Sequence, residues 1–223
     1  MASIKFILIG FLIILGFGAC TKYNYIDGGK ANGVHDCTMW EYFNGDRENW
    51  DSLILMVKRA DLRSLFDGTG ENGQITFFGP TNLSVERHIQ NHNKDLDQSS
   101  PLYWHGVNSI PVGECRDIIQ KLVVPRRFLM KAVPRGLRTQ KAVDGIMTWT
   151  ESGGIVCEAL RGSLFVWTQR ESWNEVEDTG AFTLWIASQN QPGTRSERIA
   201  SSNIQTTTGV VHSLNNDFRF DNF

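Results

Sequence analysis

The sequence has no excess of charge of either sign, no internal repeat and no low-complexity segment. Its 22 lysines and arginines face 24 aspartates and glutamates, which leaves a formal net charge of −2. A protein that holds nucleic acid through its phosphates needs a positive surface, so this balance argues against nucleic acid as a partner. With 223 residues, 41% of them hydrophobic, the chain is long enough for one large domain or two small ones with a buried core.

The chain also lacks an apolar run long enough to span a membrane. Residues 6–17 are apolar, follow Lys5 and precede Gly18, Ala19 and Cys20. A membrane-spanning helix needs roughly 18 or more apolar residues, so residues 1–19 are typical of a secretory signal peptide. Small residues before a cysteine resemble a bacterial lipobox, which predicts cleavage before Cys20 and a diacylglycerol anchor on its thiol. An ordinary signal peptide followed by an incidental cysteine is the alternative.

The predicted lipid anchors the protein in a bacterial cell envelope, at the outer membrane, on its periplasmic face or at the cell surface. Residues 20–35 are polar and rich in turns, which predicts a lipidated tether, and residues 36–223 are predicted to form one domain. An oxidising compartment allows one disulfide and one free thiol among Cys37, Cys115 and Cys157, but their spacing does not choose the pair. Cys115 fits equally well as a small buried apolar residue of a helix.

Helical periodicity fills the first half of the chain and strand alternation the second. Thr38 and Glu41 form a capping box at the start of a first helix. Apolar stripes predict further helices around residues 50–57, 85–89 and 115–122. Alternating or continuous apolar runs predict strands at residues 74–78, 146–150, 164–168, 182–187 and 210–214. Helices followed by strands, without regular alternation of the two, predict an α+β domain.

Three segments resemble the fasciclin domain family. The sequence ITFFGPTN at residues 75–82 resembles its first conserved box, and TTTGVVHSL at residues 206–214 resembles its C-terminal box. Between them, KLVVPRRF at residues 121–128 is similar to a middle segment of the family. The resemblance implies a single α+β domain, in which helices mainly from the N-terminal half pack on a mixed β-wedge or sandwich formed mainly by the C-terminal half.

The resemblance implies structural roles for the motif residues. These are Thr76, Phe78, Pro80, Thr81, Asn82, Gly209, Val210 and His212. Lys121 and Leu122 stand where the family has a tyrosine and a histidine, so the properties of that pair in animal adhesion members are not carried over. Thr208 stands where the family has an asparagine.

The family resemblance implies adhesion or interaction rather than catalysis. We therefore expect a non-enzymatic envelope lipoprotein without a cofactor, which contacts extracellular matrix, a glycan or another envelope protein. An accessory glycan-binding lipoprotein of a polysaccharide uptake system is the alternative. A third interpretation is a hydrolase whose catalytic carboxylates the sequence does not locate.

Two groups of side chains are candidate binding residues. Trp167, Trp173 and Trp185 lie in the strand region and predict a recognition surface if their rings face outward. A second apolar layer covered by long loops is the alternative. Arg126 and Arg127 belong to a basic run at residues 121–141, which indicates either a solvated face or a patch for sulfated or phosphorylated glycans.

No motif points to catalysis, a nucleotide or a metal. Gly68, Gly70 and Gly73 have the spacing of a dinucleotide loop, but they leave a predicted helix and enter a strand, which is the reverse of the order that such a loop requires. His88 and His92 are four residues apart on a helix without a third ligand fixed by the sequence, so a partly exposed helix edge is the better interpretation. The sequence has no Gly-x-Ser-x-Gly elbow and no cysteine whose neighbours would lower its pKa.

His212 is predicted to be structural. By strand alternation its side chain points to the same side as those of Val210 and Leu214, which is most simply the core. A buried imidazole is tolerated when it is hydrogen-bonded, so we expect partners for both ring nitrogens.

Overall fold

The structure is a computed structural model that describes residues 33–143, 146–176, 178–190 and 194–223. The predicted signal peptide, Cys20 and most of the tether lie outside these residues, so what concerns them stays a prediction. Within the described ranges, no helix is both long and apolar enough to cross a membrane.

Five α-helices occur in the described residues, all before residue 122. They are α1 (Met39–Gly45), α2 (Arg47–Ala60), α3 (Ser64–Asp67), α4 (Asn82–Asn93) and α5 (Val112–Lys121). The predicted capping box is confirmed, because the Glu41 N–H donates to Thr38 Oγ1 (3.2 Å) and the Thr38 N–H donates to Glu41 Oε2 (2.8 Å). The predicted apolar stripe of α2 is buried, with Trp50, Leu53 and Ile54 facing the core.

Nine strands occur in the described residues. They are β1 (Ile75–Gly79), β2 (Val123–Val124), β3 (Gly136–Val143), β4 (Ile146–Gly153), β5 (Ile155–Glu158), β6 (Ser163–Arg170), β7 (Phe182–Ser188), β8 (Glu197–Thr206) and β9 (Gly209–Leu214). Seven of them form a mixed sheet in the order β2-β1-β9-β8-β7-β6-β5, in which β1 and β9 are parallel and the other pairs antiparallel. Strands β3 and β4 pair with each other as a separate hairpin. The predicted α+β class is confirmed, with helices from the N-terminal half and strands mainly from the C-terminal half.

The main core lies between the helices and the sheet. Phe43 of α1, Phe66 of α3 and Phe77 of β1 meet edge to face, with ring centroids 4.9–6.0 Å apart. The C-terminal Phe218 and Phe223 are buried against the same core. Edge-to-face contacts are the favoured geometry of aromatic pairs, so this cluster fixes the helices on the motif strands.

The β3–β4 hairpin covers the far end of the sheet. The Gly154 N–H donates to the Arg135 carbonyl (2.9 Å), and the Thr168 N–H donates to the Pro134 carbonyl (3.0 Å). Arg138 of β3, whose side chain is 3% exposed, pairs with Glu151 of β4 at 2.9 Å. The Thr168 bond attaches the start of the hairpin to β6, and the other two contacts hold β3 and β4 together.

The end of the predicted tether is part of the folded domain. The Gln205 N–H donates to the Gly33 carbonyl (2.7 Å), and the His35 N–H donates to the Gln205 carbonyl (2.9 Å). Residues 33–35 therefore lie beside β8.

Candidate functional site

The motif residues of β1 connect three segments of the chain. Thr76 Oγ1 donates to the Arg126 carbonyl (2.8 Å) and accepts from the Phe128 N–H (3.0 Å). In the parallel pair of β1 and β9, Thr76 is in register with Val210, and both side chains are buried. These contacts use the hydroxyl of Thr76 inside the protein and leave none of it for a ligand.

The motif residues after β1 fix the start of α4. Asn82 Oδ1 accepts from the Ser52 N–H (2.7 Å), and Asn82 Nδ2 donates to the carbonyl oxygens of Arg47 (3.0 Å) and Glu48 (2.8 Å). Pro80 is buried, and Thr81 Oγ1 donates to Oδ1 of Asn216 (2.9 Å). The first box therefore attaches α4 to α2 and to the chain beyond β9.

The turn before β9 requires a glycine. Gly209 has a φ of 142°, and a Cβ atom at this position would lie 1.9 Å from the Ile75 carbonyl oxygen on β1. Beside it, Thr208 Oγ1 accepts from the Met39 N–H (2.9 Å) and donates to the Phe66 carbonyl (3.1 Å). Thr208, which departs from the family pattern, thus connects the β8–β9 turn to α1 and α3.

His212 is wholly buried, as predicted. Its Nδ1 accepts from the Asn203 N–H (3.2 Å), and its Nε2–H donates to the Phe128 carbonyl (3.4 Å). The ring stacks on Phe78, with centroids 5.5 Å apart. Burial lowers the pKa of His212 to about 4, so the imidazole is neutral at neutral pH. Both nitrogens have protein partners, which leaves no free group for catalysis.

The three candidate tryptophans do not form one surface. Trp167 is 2% exposed and packs with Phe165 and Trp185 beneath the β3–β4 hairpin, so at this residue the structure has the covered apolar layer that was the alternative to a recognition surface. Strand β3 was not predicted, and the hairpin it builds makes this face of the sheet a second apolar layer. Trp185 is half-buried, and its indole N–H donates to Thr183 Oγ1 (2.9 Å). Trp173 is 67% exposed.

The candidate arginines are exposed but engaged with the protein. Arg127 donates to Oε1 of Gln205 (2.6 Å). Arg126 lies over the Phe128 ring, 5.6 Å from its centroid, and donates to Sγ of Cys157 (3.3 Å). Arg138 of the same basic run is buried, so the run does not form one continuous basic patch.

The three cysteines in the described residues are free thiols. Cys115 is buried on the apolar face of α5, and burial raises its pKa to about 11. Burial also raises the pKa of Cys157. The structure therefore forms none of the disulfides that the predicted compartment allowed, and Cys115 behaves as a small apolar residue.

His88 is only slightly exposed on the helix edge that was predicted to be partly exposed. Its side chain is 10% exposed, lies between the rings of Trp104 and Phe220, and pairs through Nε2 with Glu114 at 2.9 Å. The reason is that the loop after α4 and the C-terminal segment pack over this face. His92 is exposed and stacks on Trp104, with centroids 3.5 Å apart. The part of the chain that the structure describes has no group of three or more His, Cys, Asp or Glu side chains arranged to hold a metal ion.

Glu197 is a buried acid at the start of β8. Its Oε1 has no hydrogen-bond partner, and burial raises the pKa of its carboxyl to about 7. It is in register with Ile186 of β7 and does not line the groove described below. Its effect is on stability rather than on a ligand.

A solvent-open groove of about 800 Å³ lies between α2, α4 and the loop at residues 94–107, and the sequence analysis missed it. Its lining is mainly polar and includes Asp51, Glu86, Gln98, Tyr103 and His105. The long run of polar and aromatic residues after α4 was the sequence feature that could have indicated it. That feature does not predict against which surface the loop packs.

No protein-family profile and no curated protein sequence matches the chain. Among solved structures, the chain is similar to a FAS1 domain pair from the insect cell adhesion molecule fasciclin I, at 12% sequence identity and a TM-score of 0.51. The similarity covers 80% of this chain and 49% of that one, so the chain spans about half the length of the domain pair. The protein therefore has a fasciclin-like fold, as the two sequence boxes predicted, and at this identity the likeness concerns the fold alone.

Proposed function

We propose that the protein is a non-enzymatic interaction module of a bacterial cell envelope, anchored through a lipid on Cys20. Its FAS1-like domain contacts extracellular matrix, a glycan or another envelope protein. Two features support the proposal. The N-terminal sequence resembles a lipobox, and the fold is similar to that of a domain pair from a cell adhesion molecule.

The observation that carries the proposal is the exposed tip of the β6–β7 hairpin. Trp173 and Val176 are 67% and 56% exposed, and their backbones exchange two hydrogen bonds of 3.0 Å. Between them, Asn174 and Glu175 have positive φ values of 47° and 64°. Positive φ at both central residues is the backbone of a tight two-residue hairpin turn, which holds Trp173 and Val176 side by side.

The tip is also held in place by side-chain contacts. Thr179 Oγ1 donates to the Val176 carbonyl (2.8 Å) and to the Trp173 carbonyl (3.3 Å). An exposed tryptophan on a rigid turn loses little conformational freedom on binding, and tryptophan is enriched among the residues that dominate interface energies. Trp173 is therefore the anchor of the proposed contact.

An accessory glycan-binding role remains the second candidate, but the residues that support it differ from those that the sequence suggested. The three tryptophans do not form one binding platform, because Trp167 is buried and Trp185 is half-buried. Trp173 stays available, and the groove beside α4 provides a further set of polar groups.

Membrane anchoring is tested with Cys20→Ser in the full chain, expressed in a bacterium with two membranes. We expect the variant to leave the membrane fraction while its circular dichroism spectrum is unchanged. Cys37→Ser is the matched control, because it removes a thiol that carries no predicted lipid. A Cys20→Ser protein that stays in the membrane fraction would contradict the anchor.

The contact is tested with cells that display the full chain, by measuring their retention on surfaces coated with extracellular-matrix proteins or with polysaccharides. We expect Trp173→Ala to reduce retention at least about tenfold, as loss of an interface anchor does. Leu137→Ala is the control, since Leu137 is 47% exposed on β3 and outside the tip. Equal retention of the two variants would exclude the tip, and no retention of wild-type cells on any surface would contradict the interaction role.

A further inference from the structure

The loop that forms one wall of the groove is closed at its base by paired hydrogen bonds. Asn93 Nδ2 donates to the Trp104 carbonyl (2.8 Å), and the Trp104 N–H donates to Asn93 Oδ1 (2.9 Å). A ring nitrogen of His92 bonds the Leu102 carbonyl at 3.0 Å. Compact loops whose ends are joined in this way are frequently functional. The wall is thus preorganised, and little ordering entropy is lost when a ligand binds.

The polar side chains of the groove fall into two sets. Asn82 and Asn93 use their amides within the protein. In the residues that the structure describes, the Gln98 amide, the Lys94 ammonium and the Tyr103 hydroxyl have no protein hydrogen-bond partner. The second set therefore offers donors and acceptors to a ligand at no cost in internal contacts.

The polar groups that line the groove match the chemistry of a sugar. Hydroxyl groups of a sugar both donate and accept hydrogen bonds, so they fit carboxylates, an amide and a phenol together. The Tyr103 ring adds an apolar face on which the C–H face of a pyranose can pack. Lys94 in the lining and Arg47, which pairs with Asp51, offset the carboxylates of Asp51 and Glu86, so the groove has no excess of positive charge that would select sulfated or phosphorylated chains. Its open, polar form is also unlike the enclosed apolar pockets that hold cofactors and small drug-like molecules.

We infer that the groove between α2, α4 and residues 94–107 binds a neutral glycan, with Gln98 and Tyr103 as its main contacts. The inference rests on the proposed interaction role and assigns to it a site and a class of ligand. Glu86 and Asp51 accept hydrogen bonds from sugar hydroxyls at the helical wall.

The two carboxylates bind the glycan without cleaving it. Asp51 pairs with Arg47 at 2.6 Å, and exposed Glu86 accepts from Nε2 of Gln90 (3.0 Å). A general acid must be held protonated by burial or by a neighbouring like charge. Asp51 is instead beside the positive charge of Arg47, and Glu86 is exposed, so neither carboxylate is buried.

The test is affinity electrophoresis of the full chain in gels that contain soluble β-glucan, mannan or xylan, with heparin as the sulfated contrast. We expect at least one neutral polysaccharide to retard the wild-type protein and heparin to have no effect. The double variant Gln98→Ala/Tyr103→Ala should raise the dissociation constant at least about tenfold, because it removes a hydrogen-bonding group and an aromatic face. Leu137→Ala, on β3 and outside both the groove and the hairpin tip, should leave the dissociation constant unchanged.

The outcomes separate the inference from the proposed function. Equal retardation of wild type and double variant, or retardation by heparin alone, would overturn the groove as a neutral-glycan site. No retardation by any neutral polysaccharide, with Trp173-dependent retention intact, would overturn the inference and leave the interaction role standing. New reducing ends after incubation would contradict the non-enzymatic proposal and keep the groove as the binding site.

Discussion

The motif strands β1 and β9 and the groove beside α4 both carry polar side chains, but they use them in opposite ways. On these strands and in the β8–β9 turn, Thr76, Thr208 and His212 each make two hydrogen bonds inside the protein. In the groove, Gln98 and the Tyr103 hydroxyl make none in the described part of the chain. The polar side chains of the motif residues are therefore engaged within the fold, and the polar groups without protein partners lie on a loop outside the motifs.

The largest expected effect comes from the motif strands. Gly209→Ala adds a Cβ atom 1.9 Å from a backbone oxygen of β1 and forces an unfavourable φ. We expect a loss of about 3–5 kcal/mol in the free energy of unfolding, or failure to fold, because backbone cannot move aside as a flexible side chain does. The measurement is urea denaturation.

A matched glycine provides the control for this variant. Gly113 lies near the start of α5, and a Cβ atom there meets nothing within 4 Å. Gly113→Ala should be neutral or stabilise the protein by up to about 1 kcal/mol. Similar losses for the two variants would show that the close approach of β1 and β9 is not what requires Gly209.

An intermediate effect is expected at His212. His212→Ala removes the acceptor of the Asn203 N–H and the donor to the Phe128 carbonyl. We expect a loss of about 1–3 kcal/mol in the free energy of unfolding, from buried groups left unpaired. Ligand binding by the folded fraction should be unchanged. A variant of wild-type stability that had lost binding would move His212 from the fold to the binding site.

The contribution of His212 should depend on pH. Its pKa is about 4 in the folded protein and about 6.5 when unfolded, so the unfolded chain binds the extra proton between these values. The stabilisation is fully present above pH 6.5 and is lost as the pH falls towards 4. Glu197 has the opposite sign, because its raised pKa of about 7 lowers stability as the pH rises towards that value. The difference in unfolding free energy between wild type and His212→Ala should therefore shrink on acidification. This holds even at pH values where the opposite effect of Glu197 leaves the wild-type free energy of unfolding unchanged.

The smallest expected effect belongs to the groove. Gln98→Ala and Tyr103→Phe remove polar groups that have no protein partner in the described residues, so each should change the free energy of unfolding by less than about 0.5 kcal/mol. Thermal unfolding of both variants beside the wild type measures this. A loss above about 1 kcal/mol in either variant would show that these groups stabilise the fold, as the polar side chains of the motif strands do. The groove and the motif strands would then not differ in this respect.

Local sequence patterns predicted the elements that bury one face at regular spacing. The stripe of Trp50, Leu53 and Ile54 predicted α2, and the Thr38 capping box located the start of α1. Strands β3 and β8 were missed because they carry many polar and charged side chains, which are tolerated when a strand lies at the surface or in a hairpin. The same omission left the exposure of Trp167 undecided, because the hairpin that covers it contains β3.

By itself the sequence determined the α+β class, the fasciclin-like motifs and the burial of His212, because these depend on residues close together in the chain. The tertiary structure decided which polar residues remain free. Asn93 and Gln98 are similar side chains a few residues apart, yet the amide of Asn93 closes a loop on Trp104 and the amide of Gln98 faces an open groove. That difference arises because hydrogen-bond partners are supplied by segments distant in sequence, and their positions follow from how the whole chain packs.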